Sequence, residues 1–405
     1  MKAKKLPFLN DPIYGFIHIA SPLIFELLEH AYFQRLRRIA QMGLSSLVFP
    51  GARHSRFEHA LGAMHLMNLV VESLRKKGIE ISAEEQEAMA FAILLHDIGH
   101  GPFSHALEEV ICLDVHHESL SLALMHQLNL TFNGRLELAI SIYQNTYPRA
   151  FMHQLVSSQL DVDRLDYLKR DSFYTGATEG NINTQRIVEM FHVVDDKLVV
   201  EEKGLFSVEK FLMARRLMYW QVYLHKTGLA AELLLANLMR YVREKLQKED
   251  LPGLSPALHF FMMHEQIDVN DPAVLNLFSQ LDDTDILFAL KTWQSHADPI
   301  LANYAQRLLH RRLMKMKFSE QPFSQEKLDK KREKLKKKGS TIKFAESFVF
   351  SGEVSARPYS LDELPIVLLK KSGKIIDLQE RSSLFKGESF SQPETKHYLC
   401  YAKSL

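Results

Sequence analysis

One stretch near residue 100 places the strongest constraint on what this chain can fold into. Residues 94–105 read LLHDIGHGPFSH, so that three histidines and an aspartate follow an apolar run. Imidazole is the commonest protein ligand for transition metals, and an adjacent carboxylate makes a mixed nitrogen and oxygen site that suits Mn, Fe, Zn or Mg. The pattern favours a metal site over a solvated loop. A His-Asp pair alone often occurs by chance, however, so this interpretation depends on the rest of the chain.

Composition limits the class of protein. The chain has 405 residues, of which 46% are hydrophobic, enough for two or three domains or for one large helical body with an appendage. Its 50 basic and 49 acidic residues give a net charge of +1, which indicates neither nucleic acid nor any other particular partner. Cys112 and Cys400 lie far apart and fit a reducing compartment. Without a signal-peptide core or a membrane-spanning run, we expect a cytoplasmic protein with no membrane partner.

Two predicted helices bring histidines together. The first follows the turn at residues 49–55, carries His59 in its first turns and ends at the C-cap Gly78. A capping box formed by Ser82 and Glu85 starts the second helix, which carries the His-Asp pair at its C-terminal end. The glycines that follow predict a sharp bend next to the metal.

A third helical segment, at residues 155–171, carries a row of polar groups. If this segment is helical, Asp163, Tyr167 and Asp171 share one face. Such a row could simply be exposed to solvent. An exposed helix usually interleaves opposite charges along its face, whereas here Arg164 and Arg170 lie to the sides.

The remaining segments complete a mainly α fold with short β hairpins. We predict a hairpin at 6–20, a helix at 23–41, a short strand at 194–201, one long helix at 207–248 and further helices through about residue 318. Residues 325–338 are densely charged, which favours a solvated helix or linker over a nucleic-acid-binding arm. The predicted domains are a core at 1–240, a helical lobe at 241–320, the charged segment at 321–340 and a small α+β tail at 341–405.

Seven short motifs carry a resemblance to a known family. In chain order they are NDPI at 10–13, FQRLR at 33–37, FPGA at 49–52, RFEH at 56–59, HDIGHGPFSH at 96–105, HE at 117–118 and DVDRLDY at 161–167. The order is similar to that in HD-domain deoxynucleoside triphosphate triphosphohydrolases, a group that includes the vertebrate dNTPase with a sterile alpha motif and bacterial dGTPase-like enzymes. The resemblance covers residues from about 8 to 230 and implies the helical HD fold. Seven ordered motifs are far more specific than one dipeptide.

The resemblance implies one divalent metal ion per site, which could be Mn, Fe, Zn, Ni or Mg. The implied ligands are His59, His96, Asp97 and Asp163. Two imidazoles and two carboxylates can hold such an ion and leave positions open for water and a phosphate oxygen. For either histidine alone, a hydrogen-bonded core residue would be the preferred interpretation.

The resemblance also implies roles around a triphosphate. The implied catalytic residues are His117, Glu118, His100 and Arg56, with Glu118 orienting the imidazole of His117 beside the α-phosphate. The implied substrate-binding residues are Gln41, His105, Arg164, Tyr167, Asp171, Arg215 and Tyr223. Guanidinium groups suit phosphate oxygens, and tight packing of Tyr167 and Asp171 around the 3′-hydroxyl would exclude a 2′-hydroxyl and so select deoxyribose.

Family members often assemble and are activated by a nucleotide that binds between subunits. The residues that match such a site are Asn10, Glu29, Gln34 and Arg37. The resemblance therefore implies a homodimer or homotetramer with an activating nucleotide. Pro7 and Tyr14 depart from the pattern, because the family has a phosphate-binding lysine and a histidine there.

These patterns predict a metal-dependent phosphohydrolase. The predicted reaction converts dNTP, with dGTP as the candidate for preferred substrate, to deoxynucleoside and triphosphate. Two alternatives stay open. One is a phosphatase or phosphodiesterase that acts on another nucleotide phosphoester. The other is a nucleotide-binding or nucleic-acid-binding module with a vestigial site, against which the intact ligand set argues.

Overall fold

Helices form most of the structure, because apolar residues recur at helical spacing along much of the chain. The computed structural model describes residues 7–356, 359, 364–385 and 392–403. The helices before residue 200 are α1 (Pro22–Glu29), α2 (Ala31–Gln34), α3 (Arg56–Lys76), α4 (Ala83–Leu95), α5 (Glu108–Ile111), α6 (His117–Thr131), α7 (Glu137–Tyr143), α8 (Ala150–Val156), α9 (Val162–Thr175) and α10 (Thr184–Met190). The later helices are α11 (Leu205–Met218), α12 (Lys226–Leu246), α13 (Pro256–Met263), α14 (Pro272–Phe278), α15 (Asp283–Trp293), α16 (Pro299–Leu309), α17 (Gln325–Lys336), α18 (Ile342–Ser347) and α19 (Leu378–Arg381). None of these helices is both long and apolar enough to cross a membrane.

Short tight turns of helix lie between the longer ones. The 3₁₀ turns are Arg35–Arg38, Gly43–Leu47, Ser104–Ala106, Thr178–Gly180 and Glu202–Gly204, and Tyr219–Tyr223 is a π-helical turn. The predicted mainly α class with short β elements is confirmed. The capping boxes at Ser55 and Ser82 start α3 and α4 as helix-start chemistry requires.

The described residues contain three small sheets. The strands are β1 (Phe8–Asp11), β2 (Gly15–His18), β3 (Phe191–Val194), β4 (Lys197–Glu201), β5 (Lys315–Ser319), β6 (Val349–Ala356), β7 (Val367–Leu369), β8 (Ile375–Asp377) and β9 (Glu394–Tyr401). The pair β1-β2 is the predicted N-terminal hairpin. The other sheets have the orders β3-β4-β7-β8 and β5-β9-β6. Strands of the tail therefore complete sheets that begin earlier in the chain, and the boundary at residue 341 stays a prediction.

Two helices predicted as continuous are interrupted by histidines. The helix predicted at 23–41 ends at Glu29, because His30 takes an extended backbone and its Nδ1 accepts a hydrogen bond from the backbone N–H of Tyr32. The helix predicted at 207–248 breaks in the same way at His225, whose Nδ1 accepts from the N–H of Thr227. A side chain that bonds nearby backbone competes with the helical ladder, and periodicity alone does not reveal this.

Two predictions of strands and helices also need correction. The single strand predicted at 194–201 is the hairpin β3-β4, because Asp195 and Asp196 adopt positive φ angles in a two-residue turn. The helical pattern predicted through residue 318 ends at Leu309, and β5 follows because Lys315–Ser319 pairs with β9. Pairing with a distant strand is a tertiary effect that overrides local propensity.

The close approach of α3 and α9 positions the candidate site. Gly62 of α3 faces the buried pair Asp166 and Arg170 of α9, and a β-carbon at Gly62 would overlap both side chains. Arg170 is fully buried; its Nε donates to Asp166 at 2.9 Å and its Nη1 donates to Asp11 at 2.8 Å. Only a glycine allows the two helices to come this close around an intact ion pair.

We expect Gly62→Ala to lower the free energy of unfolding by about 2–4 kcal/mol, because the methyl group forces apart a packed contact and a buried ion pair. Denaturant titration of the purified protein measures the effect. Gly228→Ala in α12 is the control, because its added methyl meets nothing closer than 4.0 Å and should be neutral or slightly stabilising. A Gly62→Ala protein as stable as the unaltered protein would contradict this account of the helix contact.

Candidate active site

The predicted metal ligands meet where α3, the end of α4 and the start of α9 come together. His59 Nε2 lies 3.0 Å from Asp163 Oδ1 and 3.7 Å from Asp97 Oδ2. His96 Nε2 lies 3.3 Å from Asp97 Oδ1 and 3.4 Å from Asp163 Oδ1. Ligand atoms about 2.1 Å from a shared ion are roughly 3.0–3.4 Å apart at neighbouring positions, so these separations suit one metal ion.

Hydrogen bonds behind the histidines leave both of them ready to bind a cation. His59 Nδ1 lies 2.8 Å from Asp166 Oδ2, and His96 Nδ1 lies 2.6 Å from the carbonyl oxygen of Ile93. These acceptors place the proton on Nδ1 and a lone pair on Nε2. Both Nε2 atoms are buried, and among the described residues neither makes a hydrogen bond of ordinary geometry. Buried lone pairs that face two carboxylates are the arrangement expected of a metal site.

The electrostatics of His59 fit the same conclusion. Burial lowers the pKa of His59, but hydrogen bonds and charges from Asp163 and Asp166 outweigh it and raise the value to about 10. The surroundings thus favour a positive charge at this imidazole. A metal ion between the carboxylates supplies that charge in place of the proton.

Arg56 lies at the edge of the metal ligands. It is the first residue of α3 and is buried; its Nη1 pairs with Asp97 Oδ2, and its Nε donates to Ser104 Oγ at 2.8 Å. The guanidinium is thus fixed in place beside the metal-ligand cluster and lines the same cleft. A fixed cation here can neutralise charge on a bound phosphate.

His117 is oriented by Glu108 and not by Glu118. His117 Nδ1 lies 2.6 Å from Glu108 Oε1, and the backbone N–H of His117 donates to the same oxygen at 2.7 Å. The second oxygen of Glu108 lies 3.1 Å from His105 Nδ1. Glu118 is exposed and does not line the cleft, because it follows His117 on α6 and turns outward. The predicted carboxylate partner of His117 is therefore corrected from Glu118 to Glu108, and the catalytic role of His117 stays a prediction.

The histidines at this end of the cleft form a cluster of their own. His100 stacks on His117 with ring centroids 3.9 Å apart and an angle of 18° between the planes, and His105 meets both rings edge-on. One ligand atom of each lies within 4.8 Å of the others. The three imidazoles are therefore close enough to hold a metal ion or to donate N–H hydrogen bonds to phosphate oxygens.

The charge states in the cluster differ. Burial and the nearby cation Arg56 hold the pKa of His100 well below its usual range, so His100 is neutral. Burial opposes ionisation of Glu108, but hydrogen bonds from His105 and His117 lower its pKa overall, so it is a carboxylate. The carboxylate of Glu108 therefore holds the His117 ring in one orientation.

The cleft continues from the metal ligands to a tyrosine-rich wall. Its volume is about 460 Å³, within the range of small-molecule sites, and Gln41, Tyr167, Asp171 and Tyr223 line it as predicted. Asp171 accepts from the hydroxyl of Tyr223 at 2.8 Å, and its other oxygen lies 2.7 Å from His54 Nε2. Burial and then the charge of Asp171 raise the pKa of Tyr223 well above its usual range, so the phenol stays a hydrogen-bond donor.

Other predicted residues lie outside the cleft lining. Arg164 pairs with Asp161 at 3.3 Å, and Arg215 is buried in α11 with its guanidinium 5.9 Å from the centre of the Tyr219 ring. The predicted activator residues are also elsewhere: Asn10 on β1, Glu29 at the end of α1, and Gln34 with Arg37. Arg37 Nε donates to Gln34 Oε1 at 2.9 Å. The roles of all six residues stay predictions.

Two acidic residues of the site had escaped the sequence interpretation. Glu108 follows His105 by three residues, a helical spacing that could have indicated the contact. Glu232 also lines the cleft, and it is the only charged residue in the apolar run GLAAELLLA of α12. A single carboxylate in an apolar helical run indicates a buried polar group, which could have pointed to the cleft.

Comparison with known proteins agrees with this geometry. Residues 56–171 match the family described as HD domain, and residues 182–265 match the HD associated region. The uncharacterized protein YwfO of Bacillus subtilis is 31% identical over 98% of this chain and 92% of its own length. The chain belongs to the HD-domain phosphohydrolase family. The predicted family is thereby confirmed.

One solved structure and one further relative are similar to this chain over different shares of its length. A crystal structure of a phosphohydrolase from Bacteroides thetaiotaomicron has a TM-score of 0.94 and 45% identity, and the match covers 98% of this chain and 99% of that one. The relative named deoxynucleoside triphosphate triphosphohydrolase SAMHD1 homolog, from Dictyostelium discoideum, is 32% identical. That match covers 58% of this chain and 49% of the relative, so the chain spans about half of the relative's length.

We expect Asp166→Asn to weaken divalent metal binding about 10- to 100-fold, because the amide no longer holds the Nδ1 proton of His59 as a carboxylate does. Asp163→Ala, which removes a ligand, should abolish binding. Metal content of the purified proteins and titration with Mn²⁺ measure both effects. Asp250→Asn is the control: it makes the same change at an aspartate that is 91% exposed and should leave metal affinity within about threefold. Equal affinities in all three proteins would contradict the assignment.

Proposed function

We propose that this HD-domain protein hydrolyses dNTP to deoxynucleoside and triphosphate. The observation that carries the proposal is a single cleft with two chemically distinct ends. One end holds the metal ligands, Arg56 and three histidines, which suit phosphates, and the other holds Tyr167, Asp171 and Tyr223, which suit a sugar. The relative from Dictyostelium discoideum with this activity in its name supports the substrate class.

The proposed reaction breaks the bond between the α-phosphorus and the sugar 5′-oxygen. His59, His96, Asp97 and Asp163 would hold a divalent ion, which would supply Lewis-acid polarisation of a phosphate oxygen. Water attacks the α-phosphorus and gives up one proton to the solvent, while Arg56 balances the charge that develops on the phosphate oxygens. His117, held by Glu108, delivers a proton from Nε2 to the departing 5′-oxygen, so the leaving group is a neutral alcohol. His105 and His100 contact the same phosphate.

The sugar end of the cleft supports selection of deoxyribose. Asp171 is fixed on both sides, by His54 and by the hydroxyl of Tyr223, so it cannot move aside for an extra hydroxyl group. Tyr167 lies one helical turn before Asp171 on α9 and faces the same space. A 2′-hydroxyl placed against this wall would meet fixed groups without a free partner. Gln41 completes this side of the proposed substrate site.

The remaining predictions belong to the same proposal. Arg164 and Arg215 bind the β- and γ-phosphates after a small movement toward the cleft. The protein acts as a homodimer or homotetramer in the cytoplasm, and an activating nucleotide binds near Asn10, Glu29, Gln34 and Arg37. The core at 1–240 carries the chemistry, with the lobe, charged segment and tail as further units.

We expect the purified protein, incubated with each dNTP in Mn²⁺ or Mg²⁺ with and without GTP, to release deoxynucleoside and intact triphosphate. Chromatography of the products measures this. Asp97→Ala should abolish turnover because it removes a metal ligand, whereas Asp250→Ala, at an aspartate that is 91% exposed, should not. Release of orthophosphate, or of pyrophosphate with monophosphate, would show that another phosphoester bond is cut and would favour the alternative phosphatase or phosphodiesterase.

We expect Glu108→Gln to lower kcat roughly 10- to 100-fold with little change in KM, because a general acid loses the carboxylate that holds its proton. Glu118→Gln removes the neighbouring exposed carboxylate and should behave like the unaltered protein. Steady-state kinetics on the unaltered protein and the two variants measure the effect. A larger loss of kcat in Glu118→Gln than in Glu108→Gln would support the pair of His117 and Glu118 that the sequence predicted.

A further inference from the structure

Glu232 differs from the other carboxylates of the cleft because the described residues provide it no partner. Asp97 pairs with Arg56, Glu108 with two histidines, and Asp171 with His54 and a phenol. No described residue forms a hydrogen bond or an ion pair with the side chain of Glu232. Burial raises its pKa to about 7, and no nearby charge contributes. An unpaired acid in a cleft is costly unless a ligand satisfies it.

The surroundings of Glu232 are apolar. Its Oε1 lies 3.6 Å from the position that a β-carbon would take on Gly43. Met42 and Leu224 also line the cleft, and the helix that carries Glu232 packs on the 3₁₀ turns at Gly43–Leu47 and Ser104–Ala106. The first turn carries no ionisable side chain, and the second carries His105. An apolar wall with one carboxylate suits a flat ring that has polar groups on a single edge.

Charge excludes the triphosphate from this wall. An unpaired carboxylate repels phosphate oxygens, and the cations and imidazoles that attract them lie around Arg56 and His117. If a nucleotide occupies the cleft as the proposed function requires, its phosphates lie at that end. The neutral base is then the part of the substrate that can approach Glu232.

We propose that Glu232 recognises guanine, with its two carboxylate oxygens accepting hydrogen bonds from N1–H and the N2 amino group. Guanine presents two adjacent donors on one edge, which match a carboxylate. Adenine and cytosine place a ring acceptor beside their amino group, and thymine offers one donor between two acceptors. The inference rests on the proposed function and makes dGTP its preferred substrate.

Comparison of dGTP with dITP isolates the contact, because dITP lacks only the N2 amino group. We expect the unaltered protein to have a kcat/KM for dGTP about 10- to 100-fold above that for dITP and above those for the other dNTPs. Glu232→Gln should bring the dGTP to dITP ratio close to one. Glu244→Gln, on an exposed position of the same helix, should keep the original ratio. Thermal unfolding confirms that each variant is folded, and Glu232→Ala provides a second test.

NMR titration with deoxyguanosine and with deoxyinosine measures base recognition in the absence of turnover. Hydrolysis of dNTPs with no dGTP preference would overturn the inference while the proposed function stands. An equal loss of activity toward every dNTP in Glu232→Gln would also overturn it, because that result places Glu232 in the chemistry. If no dNTP is hydrolysed, the proposed function fails. Guanine recognition would still be supported if the protein binds deoxyguanosine more tightly than deoxyinosine and Glu232→Gln removes that preference. Equal binding of the two nucleosides would overturn guanine recognition.

Discussion

A buried chain of charges holds the metal end of this structure together. Arg170 lies between Asp11 of the N-terminal hairpin and Asp166 of its own helix, and Asp166 in turn contacts His59. Breaking one partner of such a buried group leaves an uncompensated charge and costs several kcal/mol, so its members are mutually dependent. The path of the N-terminal hairpin, the approach of α3 to α9 and the orientation of a metal ligand are consequently parts of one arrangement.

A carboxylate contacts Nδ1 of His117 in the same way as Asp166 contacts Nδ1 of His59. Asp166 behind His59 and Glu108 behind His117 each accept the Nδ1 proton and leave Nε2 for another partner. The surroundings then decide the use of each ring. His59 is fully buried among carboxylates and presents a lone pair to a cation, whereas His117 is partly accessible and can exchange a proton with a ligand. Two similar hydrogen bonds thus suit the two different roles proposed for these rings.

Much of this site could be predicted from the sequence, because its signals are local or follow helical spacing. The capping boxes, the face shared by Asp163, Tyr167 and Asp171, and the helical class needed only periodicity and end chemistry. The ordered motifs identified the family. The features that the sequence did not predict depend on contacts between distant segments. Strand β5 pairs with β9, and Glu232 lines the cleft from a helix whose sequence is typical of a buried core. The choice of Glu118 over Glu108 had a different cause, since adjacency in sequence says nothing about which side of a helix faces the site.

The pairing of β7 and β9 with earlier strands means that two of the sheets need segments far apart in the chain. Strand β9 lies between β5 and β6, and β7 pairs in parallel with β4, which precedes it by more than one hundred residues of chain. Until β7 and β9 have been made, β4 and β5 each keep an open edge, the kind of surface on which chains aggregate. A chain that stops short of β9 leaves the β5-β9-β6 sheet without its central strand. These two sheets can therefore be completed only after all the residues of the cleft have been made.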